Sequence, residues 1–323
     1  MTYSAPRWLP NRHLMTIYAA LARIPRRVPL YRERWELPDG DFLDVDRMTG
    51  ATPNAPMVIV CHGLEGSSRA GYVRGVLAGL HTRGLAACAI NFRSCSGTPN
   101  RLKRFYHSGE TGDLAYAVDK LSAERPDRAL ALVGFSLGGN VVTKFLGETG
   151  SAVPSAIRVG AVVSVPFDLA GCAVALDGPG LPAYLYRERF LRKLKPKALE
   201  KAARFPGLLD VERVKSVKLL RAFDDAATAP LHGFADAAEY YARSSSRNVL
   251  STIARPLLVL SSEDDPFIPK ETLPLEALRK NPHITLELHA DGGHVGFLAG
   301  PPWRPNRYAE ERVVEFVAEH LPA

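Results

Sequence analysis

Gly134-Phe135-Ser136-Leu137-Gly138 fits the pattern G-x-S-x-G, and it falls between an aliphatic run, ALALV at 129–133, and a helical pattern over 138–148. A strand-to-helix turn sharp enough to project a serine from a sheet brings backbones closer than Cβ atoms allow, so glycines must flank it. A serine hydroxyl is a poor nucleophile near neutral pH. It needs a base, and the base needs an acid to orient it. Asp264 and Asp265 follow the run PLLVLSS, and His294 follows ITLEL within Gly292-Gly293-His294-Val295-Gly296. His13, His62 and His81 precede the serine, His232 and His320 lie in helical stretches, and His283 and His289 flank the ITLEL run. His294 is therefore read as the base.

Acyl transfer also needs donors aimed at the developing oxyanion. Cys61-His62-Gly63-Leu64-Glu65-Gly66 follows the run MVIVC. The predicted donors are the backbone N–H groups of Leu64 and Leu137, the second also at the positive end of a helix dipole. His62 precedes the donor and is read as a brace for its loop. The four cysteines, Cys61, Cys88, Cys95 and Cys172, form no CxxC and have no histidine at metal-ligand spacing. Neither a zinc site, a disulfide framework nor a cofactor is expected, and cytosolic thiols are.

These residues need a scaffold that places them at one edge. Apolar runs of strand length occur at 57–61, 85–90, 129–133, 159–165, 256–260 and 284–288, several without polar alternation, as in a parallel sheet covered on both faces. Helical patterns lie between them at 72–82, 111–123, 138–148, 270–280 and 307–320. The β-α-β-α rhythm predicts an α/β fold with a doubly wound, mostly parallel sheet. Residues 34–37, the Pro38-Asp39-Gly40 turn and residues 42–46 read as an antiparallel hairpin leading into it. The rhythm breaks over about 167–251, which has helical segments at 184–195, 196–204, 211–223 and 233–244 and no convincing strand. The expected division is a basic N-terminal extension, 1–34, and a sheet domain, 35–323, carrying a helical cap at about 167–251.

The 323 residues are 46% hydrophobic and 23% charged, an ordinary globular balance, with a formal net charge of +7. Residues 1–34 and 184–204 each carry +6, so the remainder is acidic. The basic cap stretch interleaves Tyr184, Tyr186, Phe190 and Leu191 with Arg187, Arg189, Arg192 and Lys193. Two explanations stand: a solvated basic face whose apolar side packs on the core, or an element making peripheral contact with an anionic membrane surface. No recognition motif accompanies the charge, and nucleic acid is not an expected partner. Without a long apolar run or a secretory leader, a soluble cytoplasmic protein is expected.

The motifs HGLEGSS at 62–68, NFRSCSG at 91–97, YHSG at 106–109 with Asp113, GFSLGGN at 134–140, DDPF at 264–267 and GGHVGF at 292–297 together resemble those of the YheT-like α/β-hydrolases. Asn11-Arg12-His13-Leu14, Thr16-Ile17 and DGDFLD at 39–44 extend the resemblance over nearly the whole chain. Met15 departs from the family pattern, where Gln is expected, and so does Ser94, where Gly is more usual. The resemblance implies an α/β-hydrolase core, with Ser136, Asp265 and His294 as the charge-relay set. Asp265 is favoured over Asp264 because Asp265-Pro266-Phe267-Ile268-Pro269 has the D-x-x-[IV]-P shape of hydrolase acid loops. It also implies hydrolysis of carboxylic esters, with a small-molecule acyl ester as partner; related eukaryotic members act as lipases, phospholipases or acyl-alcohol transferases. Transfer of the acyl group to an alcohol acceptor and a non-catalytic binding role on the same fold are the alternatives. Tyr106, His107 and Asp113 are read as structural.

Overall fold

The computed structural model describes residues 3–22 and 27–322; Arg23 and Arg26, two of the cations in the basic N-terminal segment, lie outside them. Aliphatic runs that could bury both faces become the inner strands of an eight-stranded sheet: β1 (Leu30–Glu36), β2 (Phe42–Met48), β3 (Met57–Cys61), β4 (Ala86–Asn91), β5 (Leu130–Phe135), β6 (Ile157–Val163), β7 (Leu257–Ser262) and β8 (Ile284–His289). The spatial order is β1-β2-β4-β3-β5-β6-β7-β8. Strands β4 to β8 run parallel, and the β1–β2 hairpin joins β4 antiparallel at one edge. From β3 the chain crosses first to β4 on one side and later to β5 on the other. The crevice between β3 and β5 is thus the topological switch point, where open α/β sheets place their ligands.

The pleat sends alternate side chains into two separate cores. Val58 and Val60 face Val76, Leu77, Val313 and Val317, whereas Ile59 and Cys61 face Val118, Leu121, Val141 and Val142. The helices of the structure are α1 (Arg12–Ala22), α2 (Gly71–Thr82), α3 (Gly112–Glu124) and α4 (Leu137–Thr149); then, between β6 and β7, α5 (Leu169–Leu176), α6 (Leu181–Arg204), α7 (Val211–Ser216), α8 (Leu220–Phe223), α9 (Ala229–His232) and α10 (Ala237–Ser244); and finally α11 (Leu275–Lys280) and α12 (Tyr308–His320).

Three local departures from the sequence reading have physical causes. The hairpin begins at Leu30, since the polar edge strand is held by Arg32–Asp46, Arg34–Asp44 and Arg47–Glu33 ion pairs that charge alternation alone does not reveal. Helix α6 runs through Pro196 as one element, because Leu191, Leu194, Ala198 and Ala202 keep one continuous buried stripe on either side of it. Helix α1 was not foreseen; its buried Met15 and Ala19 pack with Leu9 and Leu298 in a small separate cluster.

The basic stripe of α6 is only partly solvated. Lys197 and Lys201, four residues apart, point inward: Lys201 Nζ donates to the carbonyls of Asn100 (2.8 Å) and Leu102 (2.7 Å), and Lys197 Nζ pairs with Glu65 at 2.8 Å. Burial lowers the Lys201 ammonium to about 8. No helix among the described residues is long and apolar enough to cross a membrane.

One buried ion cluster joins the hairpin to the sheet. Arg93, after β4, donates to Asp113 (2.6 Å), Asp41 (3.1 Å) and Asp39 (2.7 Å), with both its own side chain and those of Asp41 and Asp113 almost fully enclosed. Removing one member of such a cluster strands the others in low dielectric. Arg93→Met is expected to lower the unfolding free energy by about 3–5 kcal/mol in urea titrations; a loss below about 1 kcal/mol would contradict this role.

Candidate active site

The turn between β5 and α4 puts Ser136 at φ 52° and ψ −123°, a backbone that L-residues rarely adopt. Clearance comes from Gly134 and Gly138. A Cβ on Gly134 would lie 2.4 Å from the Gly138 carbonyl oxygen, and one on Gly138 would lie 2.5 Å from the carbonyl oxygens of Cys61 and His62. The glycine spacing read from sequence is therefore a steric requirement.

His294 and Asp265 meet the serine. Ser136 Oγ lies 2.9 Å from His294 Nε2, and His294 Nδ1 lies 2.9 and 3.1 Å from the two carboxylate oxygens of Asp265. With the carboxylate accepting from Nδ1–H, Nε2 accepts from the serine hydroxyl. Asp265 is itself set by the N–H groups of Phe267 (2.8 Å) and Ile268 (3.3 Å). Asp264 does not reach the imidazole; it accepts from the N–H of Gly293 at 2.8 Å and so fixes the loop that carries His294. Burial raises the Asp264 carboxyl above its ordinary range.

Leu64 and Leu137 flank the serine from two elements. Leu137 is the first residue of α4, where a helical N–H has no intrahelical acceptor. Among the described residues neither Leu64 N–H nor Leu137 N–H has a protein acceptor. The Leu64 loop approaches closely, since a Cβ on Gly63 would sit 3.1 Å from Ser136 Cβ. His62 is wholly buried beside it, with Nδ1–H on the Gly63 carbonyl (2.7 Å) and Nε2 accepting from Phe92 N–H (3.2 Å). Both ring nitrogens are engaged, which suits a brace. Tyr106 donates to the Glu65 carboxylate and accepts from its N–H, each at 2.8 Å. His107 packs against His232 and Tyr240 under the cap.

Sequence reasoning missed three supports. Thr16 on α1 accepts from the N–H of His294 at 2.9 Å, and Ser164 accepts from the N–H of Val295 at 3.0 Å. The Lys197–Glu65 pair anchors the Leu64 loop to the cap. These partners are as much as 278 positions apart in the chain, so no local pattern announces them. The two departures from the family pattern also find their setting. Ser94 has φ 64°, a conformation that favours glycine, and Met15 packs on Gly296 beneath the histidine loop. No cluster of three or more His, Cys, Asp or Glu among the described residues is arranged to hold a metal ion.

The α/β-hydrolase fold family matches residues 56–301. The YheT protein of Escherichia coli K12 is 37% identical over 322 residues, covering 98% of this chain and 93% of its own length. The chain belongs to the YheT-like α/β-hydrolase family. The monoacylglycerol lipase of Saccharomyces cerevisiae is 32% identical over 79% of this chain, which spans 57% of that protein's length. Among solved structures, the Pyrococcus furiosus esterase Pf2001 superposes with a TM-score of 0.58 at 19% identity, over 91% of this α/β-hydrolase and 92% of that chain, a likeness of fold.

Burial keeps His62 neutral down to about pH 4 and His107 down to about pH 3, and pushes His232 well below its ordinary value of 6.5. The unfolded α/β-hydrolase chain binds these protons from about pH 6.5 downward while the folded chain does not, so acid favours unfolding across that window. Asp224, raised to about 6 by burial, opposes them by taking its proton earlier in the folded state. Asp113 and Asp264, raised by burial as well, oppose them too, whereas Asp39, Asp41, Asp44 and Asp46, whose hydrogen-bond and arginine partners outweigh burial and hold them low, contribute stability that acid removes alongside that of the histidines. The urea midpoint is expected to fall steadily from pH 6.5 to 4, with His62 alone accounting for about 3 kcal/mol at the acid end; a flat midpoint would contradict the neutral histidines.

Proposed function

We propose that the protein hydrolyses small-molecule carboxylic (acyl) esters through an acyl-enzyme on Ser136. The observation carrying this reading is the unbroken hydrogen-bonded chain from Ser136 Oγ through His294 to Asp265. His294 Nε2 takes the hydroxyl proton as Oγ bonds to the acyl carbon. The carbonyl π pair moves onto oxygen, which the Leu64 and Leu137 N–H groups receive. On collapse the carbon–oxygen bond to the alcohol breaks, and His294 returns the proton to the departing oxygen. Water then repeats the sequence, losing its proton to His294 and releasing the carboxylic acid and free serine. Asp265 holds the imidazole tautomer and stabilises the imidazolium. The kinship with a yeast monoacylglycerol lipase supports ester chemistry.

A fluorophosphonate probe is expected to label the wild-type chain at Ser136 and to leave Ser136→Ala unlabelled; labelling that persists in the variant would refute the assignment. Asp265→Asn is expected to lower kcat on a p-nitrophenyl ester by about 10⁴-fold through the wrong imidazole tautomer. Asp264→Asn, which leaves that tautomer alone, is expected to cost far less, and equal losses would place the acid wrongly.

A further inference from the structure

Two cavities meet at Ser136. The smaller, about 120 Å³, runs beneath the cap and is walled by Phe105, Leu169, Leu176, Leu194 and Leu220. The larger, about 370 Å³, lies among α1, the start of α2 and α6, and shares Leu64, Ser136, Phe190, Phe267 and His294 with the first. Hydrocarbon suits the smaller one. The alcohol half of an ester must depart before water enters, which suits the side with the exposed rim.

That rim is cationic. Arg69, Arg189 and Lys193 line the larger cavity and are exposed. Its one carboxylate is Glu65, already neutralised by Lys197 and bonded to Tyr106. Elsewhere on α6 exposed arginines hold acidic partners, Arg192 with Glu188 and Arg204 with Glu200. Among the described residues Arg69 and Arg189 have none, and Lys193 reaches only the backbone carbonyl of Glu65, at 3.1 Å. Helix α2 also opens on this cavity through Ala70 and Gly71, with no side-chain cap and no acidic residue in its first turn, which adds the positive end of its dipole.

We propose that this cavity receives the alcohol half of the ester and that Arg69, Arg189 and Lys193 select alcohols bearing an anion, a phosphate or a carboxylate. The proposal rests on the serine-hydrolase reading of the site. Guanidinium groups suit either anion because both offer paired oxygens to the planar fork.

Soluble butanoyl esters test it without a lipid surface: the ester of glycerol 3-phosphate and that of 3-hydroxypropanoate, each against the ester of glycerol. The expected wild-type result is a kcat/KM ratio of about tenfold in favour of at least one anionic ester at low ionic strength, shrinking severalfold in about 0.5 M salt. The arm that wins tells phosphate from carboxylate. Arg69→Ala with Arg189→Ala is expected to bring the ratio close to one. Should that double variant fold poorly, Arg189→Gln and the salt titration of the wild type read the same charge effect. A ratio at or below one with the glycerol ester still cleaved overturns the proposal and leaves the hydrolase reading standing. So does a ratio that survives the double substitution, or a preference seen only on vesicles of anionic lipid. Failure on all three esters, together with absence of fluorophosphonate labelling, would sink the hydrolase reading itself.

Discussion

The rest of the site depends on the backbone at Ser136. A non-glycine residue held at φ 52° and ψ −123° costs on the order of 1–3 kcal/mol, so the surrounding structure must enforce it. Enforcement comes from parallel neighbours on both sides of β5, which register Gly134 against Cys61 and Val162, and from helix α4, whose Gly138 lies against the carbonyls of Cys61 and His62. The turn therefore presses the serine loop and the Leu64 loop together. A tight turn after one strand thereby sets the position of the loop after another.

Similar strain recurs in the loops that answer the serine. Glu65 has φ 54° and Val295 φ 52°, adjacent to Leu64 and His294 respectively. In both cases side chains from distant elements pin the backbone: Tyr106 holds the N–H of Glu65, and Ser164 holds that of Val295. The amides of Glu65 and Val295 thus have partners, and the cost of enclosing them is met by fixing geometry.

Much of this was legible in the sequence, for reasons tied to particular residues. Apolar runs buried on both faces suit inner parallel strands, and the run MVIVC marks both ends of β3. Glycines at 134 and 138 mark a clearance that only a sharp turn needs. Ser136, Asp265 and His294 fall after strands whose ends converge, and the structure brings their side chains within hydrogen-bonding distance. Long-range polar contacts were not legible. Thr16 is an unremarkable helical threonine until the His294 N–H is placed beside it, and Lys197 is one of many cap cations until Glu65 is enclosed. Charge counting also misjudged α6, since a helical stripe of lysines at spacing four can face inward when backbone carbonyls wait there.

The bond between Thr16 and the amide of His294 closes a loop spanning most of the polypeptide. During synthesis, Ser136 leaves the ribosome after β3 but before α4 and β6, the other elements that fix its turn, and more than a hundred residues before His294. A nascent chain therefore holds this serine without its imidazole partner until the segment after β8 has been made. The Ser136–His294 contact and the bond between the first helix and the loop after β8 can form only late in synthesis.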